Sequence, residues 1–170
     1  AGRDALPFSR VSNAAPDRAA DAVYLRGGDP GLPGGRLAAN QIFLGGLRHA
    51  AEAGAAIFGE CGGYMVLGDG LVDASGARHA MSGLLPLETS FAERRLHLGY
   101  RRLETAGMSP LGDVGRGFTG HEFHYASIKR EGPGDPLFTV MDSRGAVLSP
   151  AGLVNGNVAG SFIQLMGGAS

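Results

Sequence analysis

The chain has 170 residues, with 15 lysines plus arginines against 16 aspartates plus glutamates for a formal charge of −1. A single domain of that length buries roughly two thirds of its unfolded surface in one core, and its near-neutral charge excludes a broad basic footprint for nucleic acid or an anionic membrane. One cysteine rules out an internal disulfide, and no apolar run reaches the roughly 18 residues a membrane span needs, so the expectation is a cytoplasmic protein. The 30 glycines are the outlier, but a 44% hydrophobic content without any repeat period excludes disorder and collagen.

In chain order, residues 1–20 read as a polar leader or loop, and residues 21–170 as one domain. With no initiator Met, a processed or excised piece is the expectation. Ala22–Leu25 is the first strand, followed by a Gly- and Pro-rich loop through Pro30 to Gly35. From Arg36 to Gly54 a helical stripe of Leu37, Ile42, Leu44, Leu47 and Ala50–Ala51 is expected, interrupted at Gly45-Gly46 and stopped by Gly54. Ala55–Phe58 is a wholly apolar strand covered on both faces, and Tyr64–Leu67 opens a second helix. Strand, helix, strand, helix predicts an α/β domain with a parallel sheet. Beyond Gly83 short strands take over at Leu84–Leu87, Gly99–Leu103, Phe118–Ala126, Phe138–Val140 and Gly145–Leu148. Leu153-Val154 and Val158–Leu165 flank Asn155-Gly156, a type I′ hairpin signal.

The chemical centre is Phe58-Gly59-Glu60-Cys61-Gly62-Gly63-Tyr64. Gly-x-Cys-x-Gly between a buried strand and a helix is the thiol form of a nucleophile elbow, whose glycines relieve a sharp strand-to-helix turn. The turn presents Cys61 at the carboxyl edge of the sheet, where the helix start favours a thiolate and the Gly62 amide faces a developing oxyanion. Gly27-Gly28, after the first strand, is the expected source of a second oxyanion donor at Gly28, with Gly27 and Glu60 as candidate site support. An inert buried thiol and a plain turn are the alternatives.

A thiolate needs a base to hold and return the proton. His49, His79 and His97 lie in stretches expected to be solvated surface. In Gly120-His121-Glu122-Phe123-His124-Tyr125 the histidines are three apart, not four as on a zincin helix. On a strand, His121, Phe123 and Tyr125 face one side and Glu122 with His124 the other, so no metal site is expected there. His124 oriented by Glu122 is a candidate pair, with a satisfied structural histidine as the alternative.

The cysteine string from Gly59 to Gly68 together with Gly120–Tyr125 resembles the glutaminase domain of cobyrinic or hydrogenobyrinic acid a,c-diamide synthases, from about Ala20 through Tyr24–Gly28 and Pro30 to Phe162. The resemblance implies a class I glutamine amidotransferase, a flavodoxin-like α/β fold with an open, mostly parallel sheet, flanking helices and extra antiparallel strands in the second half. It implies that Cys61 is acylated by glutamine and releases ammonia, and that an ATP- and Mg²⁺-dependent synthetase half amidates two carboxylates of a corrinoid. The first strand and helix of such domains, and the whole synthetase half, are not found in this chain, which has no phosphate-binding Gly-x-x-x-x-Gly-Lys motif. This chain is expected to bind no cofactor; its implied partners are glutamine, a synthetase domain and a second copy.

The family's catalytic histidine lies in a pattern like Gly-Ser-Phe-Ile-His-Leu, where this chain has Gly160-Ser161-Phe162-Ile163-Gln164-Leu165. Gln164 cannot take up a proton. The third triad position of other class I enzymes falls on Met166, and this branch usually lacks that carboxylate. The expectation is an impaired glutaminase that accumulates a γ-glutamyl thioester on Cys61. Its rivals are a silent pseudo-amidotransferase that binds or scaffolds, and a cysteine hydrolase recruiting His124 and Glu122.

Overall fold

A computed structural model describes residues 5–9, 12–28 and 34–169. Pro30 and part of its loop, with parts of the leader, lie outside the described residues. The elements are β1 (Ala22–Leu25), α1 (Gly34–Ala39), α2 (Gln41–Glu52), β2 (Ala56–Glu60), α3 (Gly62–Leu67), β3 (Gly70–Val72), β4 (Arg78–Ala80), β5 (Leu87–Ser90), β6 (His97–Thr105), β7 (Gly117–His124), β8 (Ser127–Glu131), β9 (Asp135–Asp142), β10 (Val147–Asn155), β11 (Val158–Ser161) and β12 (Gln164–Gly168).

Among the described residues an eight-stranded mixed sheet runs β1-β2-β11-β10-β9-β6-β7-β12, and a four-stranded sheet runs β4-β3-β5-β8. In the large sheet β2 pairs in parallel with β1 and β11, and the remaining pairs are antiparallel. The α/β fold expected from the resemblance is present, but its large sheet is curled and mostly antiparallel, not open and mostly parallel, because the long second-half strands pair as hairpins and only the strands around Cys61 run parallel.

One core gathers Phe43, Leu44 and Leu47 of α2 against Ile57 of β2 and Tyr64–Leu67 of α3. A second joins Leu103, Phe118, Leu137, Phe138 and Val140 beneath the antiparallel strands. Each such side chain removed from water contributes on the order of 1.5–3 kcal/mol before conformational entropy is set against it.

Several local expectations change. The break in the first helical stripe falls at Asn40, with backbone φ −79° and ψ 67°, and not at Gly45-Gly46. Gly46 stays helical, and its lack of a Cβ lets α2 pack onto the leader, where a Cβ would stand 2.7 Å from that of Ala15. Ile42 is exposed. Gly54 ends the stripe at φ +88°, as expected. The strand expected at Leu84–Leu87 begins only at Leu87, and Val158–Leu165 splits into β11 and β12 around Phe162-Ile163.

The hairpin is real but shifted: Asn155 pairs with Val158, leaving Gly156-Asn157 as the turn. Only Gly156 has a positive φ, +58°. A single left-handed residue at the first central position is the type II′ pattern, not I′.

Candidate active site

β2 runs into α3 through Cys61, whose φ of 49° and ψ of −110° lie outside the ordinary regions for a side-chain-bearing residue. Surrounding bonds hold that geometry: the Cys61 amide donates to Ser161 O at 2.9 Å, and its carbonyl accepts the Met65 amide at 3.1 Å. Glycines let the backbones approach closely enough for this. A Cβ on Gly59 would stand 2.8 Å from the Gly63 backbone, one on Gly63 would enter the Leu25 carbonyl, and one on Gly160 would meet Gly59 O at 2.7 Å. Gly160 lies outside the cysteine string, so its part in the elbow was not legible from that motif.

Cys61 lines a cleft of about 300 Å³ with Gly28, Phe91, Arg94, Phe123 and Gln164. Gln164 reaches this place because the large sheet curls until its last strand returns to its first. A Cβ on Gly27 would stand 2.5 Å from Gln164 Nε2 and 3.4 Å from Cys61 Cβ. Gly27 is therefore the gap into which the two side chains fit. Gly28 lines the cleft itself, and Gly62, buried, begins α3 directly after Cys61.

Glu60 is 4% exposed. Its Oε2 accepts the Tyr24 hydroxyl at 2.6 Å and its Oε1 accepts the Leu165 amide at 3.0 Å. Burial and the Glu60 carboxylate push the Tyr24 phenol far above its ordinary range, so the hydroxyl stays a donor.

His124, also cleft-lining, is held on every side. Its Nδ1 lies 2.8 Å from Ala126 O and its Nε2 2.9 Å from Glu122 Oε1. The ring stacks on Phe162 at 4.0 Å and on His97 at 4.6 Å between centroids. Arg101 takes the other Glu122 oxygen at 2.9 Å. The His124 hydrogen bond, with the charges of His124 and Arg101, holds the Glu122 carboxyl below its usual range against its burial. Glu122 and His124 thus share a face, as the strand reading expects. Both ring nitrogens of His124 already face oxygens, so the ring is turned to Ala126 O and Glu122.

His97 is not the solvated residue expected: it covers His124, and burial first, then His124, lowers its pKa. His79 is half-buried and 2.7 Å from Asp73, whereas His49 is exposed as expected. Ligand atoms of His97, Glu122 and His124 lie within 4.8 Å of one another. The two rings are only 7° from parallel, so their in-plane lone pairs do not converge on one point, and Glu122 is already shared between His124 and Arg101. The cluster reads as a charge network supporting the cleft wall.

The sequence matches the model of the CobB/CobQ-like glutamine amidotransferase domain over residues 1–166. It is 56% identical over 159 residues to a hydrogenobyrinate a,c-diamide synthase of Sinorhizobium sp., covering 94% of this chain and 36% of that protein. The Rhizobium meliloti protein of the same name is 54% identical over 97% of this chain and 38% of its own length, and that of Rhodobacter capsulatus 51% identical over 99% and 38%. The chain thus spans between a third and two fifths of these relatives. A solved structure titled as a glutamine amidotransferase superposes with a TM-score of 0.51 at 20% identity, covering 85% of this chain and 70% of that one, a likeness of fold.

Proposed function

We propose that this chain, which belongs to the CobB/CobQ-like glutamine amidotransferase family, is the ammonia-producing part of a larger ligase that amidates the a and c carboxylates of hydrogenobyrinate or cobyrinate. The observation carrying this reading is Cys61 in a strained elbow on the floor of the cleft it shares with Gly28 and Gln164. The relatives' name supports the acceptor. ATP and Mg²⁺ would belong to the remaining length of such a ligase, since the sole lysine, Lys129, pairs with Glu88 on the small sheet.

Glutamine enters with its carboxamide over Cys61, and Arg94, stacked 5.0 Å over the Tyr125 ring, takes its α-carboxylate. The thiolate adds to the carboxamide carbon, the Gly62 and Gly28 amides stabilise the oxyanion, and ammonia leaves with a γ-glutamyl thioester on Cys61. The departing nitrogen takes its proton from solvent water, and the water that deacylates the enzyme gives its proton up to solvent; Gln164 assists neither transfer. The absent general acid–base help is worth roughly 10²–10⁴-fold in rate, so acylation is slow and the thioester persists. Intact-mass measurement after incubation with glutamine checks this: a γ-glutamyl adduct on the native chain, absent from Cys61→Ser, is expected, and no adduct with no ammonia would overturn it.

One observation favours a second reading. Gln164, where the resemblance puts the base, packs beside Gly27, as suits a pseudo-amidotransferase that binds glutamine without turning it over. Calorimetry showing glutamine binding with neither adduct nor ammonia would select it.

A further inference from the structure

We propose that Glu60 is the positioning residue that seats position 164 against Cys61, by clasping together the two ends of the curled sheet. This rests on the reading of Cys61 as nucleophile and extends it to how the second member of the pair is held.

The nucleophile and its partner position come from distant parts of the ladder. Cys61 follows β2, whereas Gln164 opens β12, the outermost strand, which has β7 on one side only. A strand so placed is free to swing unless something holds its other edge. Among the described residues Glu60 is the sole buried carboxylate. It directly precedes Cys61, and its Oε1 accepts the amide of Leu165, which directly follows Gln164. One carboxylate therefore ties the backbone beside the nucleophile to the backbone beside position 164. Its other oxygen accepts the Tyr24 hydroxyl from the opposite edge strand, β1, and that bond fixes the carboxylate's own orientation.

The position where other class I enzymes place a third carboxylate holds Met166, which is 62% exposed and contributes nothing polar. In this chain the carboxylate acts from the nucleophile's side and through the backbone, not on the side chain at 164. Displacing a catalytic group by about 1 Å can cost on the order of 100-fold in rate, which sets the scale of the effect.

The experiment uses Gln164→His, in which a base stands at the seated position, and compares ammonia release after adding Glu60→Ala, Glu60→Gln or Tyr24→Phe. Glu60→Ala is expected to lower kcat about 100-fold with KM changed less than about twofold. The rate of Cys61 alkylation by iodoacetamide, followed against pH, is expected to shift its midpoint up towards the roughly 8.5 of an ordinary thiol as the imidazole partner drifts away. Glu60→Gln keeps an oxygen for the Leu165 amide and is expected to stay within about tenfold of its parent, with its alkylation profile unmoved.

If Glu60→Ala fails to fold, Tyr24→Phe decides, since it frees the carboxylate while sparing the Leu165 bond: a kcat drop of a few-fold at constant KM is expected. An active Gln164→His whose Glu60 and Tyr24 variants match it in kcat and alkylation profile overturns the positioning role alone. A Gln164→His that releases no ammonia and shows no lowered alkylation midpoint overturns the nucleophile reading and this one with it.

Discussion

The two halves of the cleft are built by opposite means. Around Cys61, three parallel strands and a short helix pack so tightly that Gly59, Gly63 and Gly160 leave no room for a Cβ. Around Gln164, an antiparallel ribbon of β6, β7 and β12 carries exposed Leu98, Tyr100 and Phe123, at 64%, 68% and 47% exposure, and the glycines Gly167 and Gly168 of β12 have open space around them. The first half fixes its residue by steric closure, the second by the bond from the Leu165 amide to Glu60 and by the stack of Phe162 on His124. A residue held in a strained backbone needs the former; a strand that has only to deliver one side chain is satisfied by the latter.

Removing the steric freedom of each half in turn is the largest test. Gly63→Ala drives a methyl into the Leu25 carbonyl and is expected to destabilise the fold by about 3 kcal/mol or more. Gly167→Ala, on the open strand, is expected to stay within about 0.5 kcal/mol; chemical denaturation of the two variants measures the contrast, and equal losses would erase it.

The polar half is sensitive to pH in a defined direction. Glu122 has its folded pKa below the ordinary carboxylate value, through His124 first and Arg101 second. The stability it contributes is therefore fully present above about pH 4.3 and lost as pH falls through its folded value. Glu122→Gln is expected to cost about 2 kcal/mol at pH 7, with the gap to the native chain closing below about pH 4 in denaturation curves.

The smallest effect lies outside both halves. Gly54, at φ +88° with nothing within 4 Å of a Cβ, is expected to lose about 1 kcal/mol on replacement by Ala, from backbone strain alone. Thermal unfolding would register it as a shift of a few degrees.

This division also explains what the sequence made legible. The elbow is local: Gly59, Cys61 and Gly63 fall within five residues, and a buried strand before them with a helix after them is visible in the pattern of apolar residues. Gly27 was visible as a loop glycine at the same sheet edge. The partner side depends on register and curl. Nothing near Gln164 announces that its amide will fill the gap left by Gly27, and His97 looked solvated because its cover, His124, is paired to it only through the β6–β7 ladder. Glu60 is a candidate for site support only as the neighbour of Cys61, and its two acceptor bonds reach residues 36 and 105 positions away. The hairpin at Gly156 slipped by one residue because Asn-Gly and Gly-Asn turns both fit the string Asn155-Gly156-Asn157, and only the ladder between β10 and β11 selects between them.

The central claim is that a complete thiol elbow faces a glutamine, Gln164, where the proposed mechanism needs a base. Ammonia release from glutamine by Gln164→His, set beside the native chain and beside Gln164→His carrying Cys61→Ser, tests it most directly. The account predicts at least a 100-fold gain over the native chain, abolished by the serine. Equal rates in the native chain and Gln164→His, or activity surviving Cys61→Ser, would contradict it.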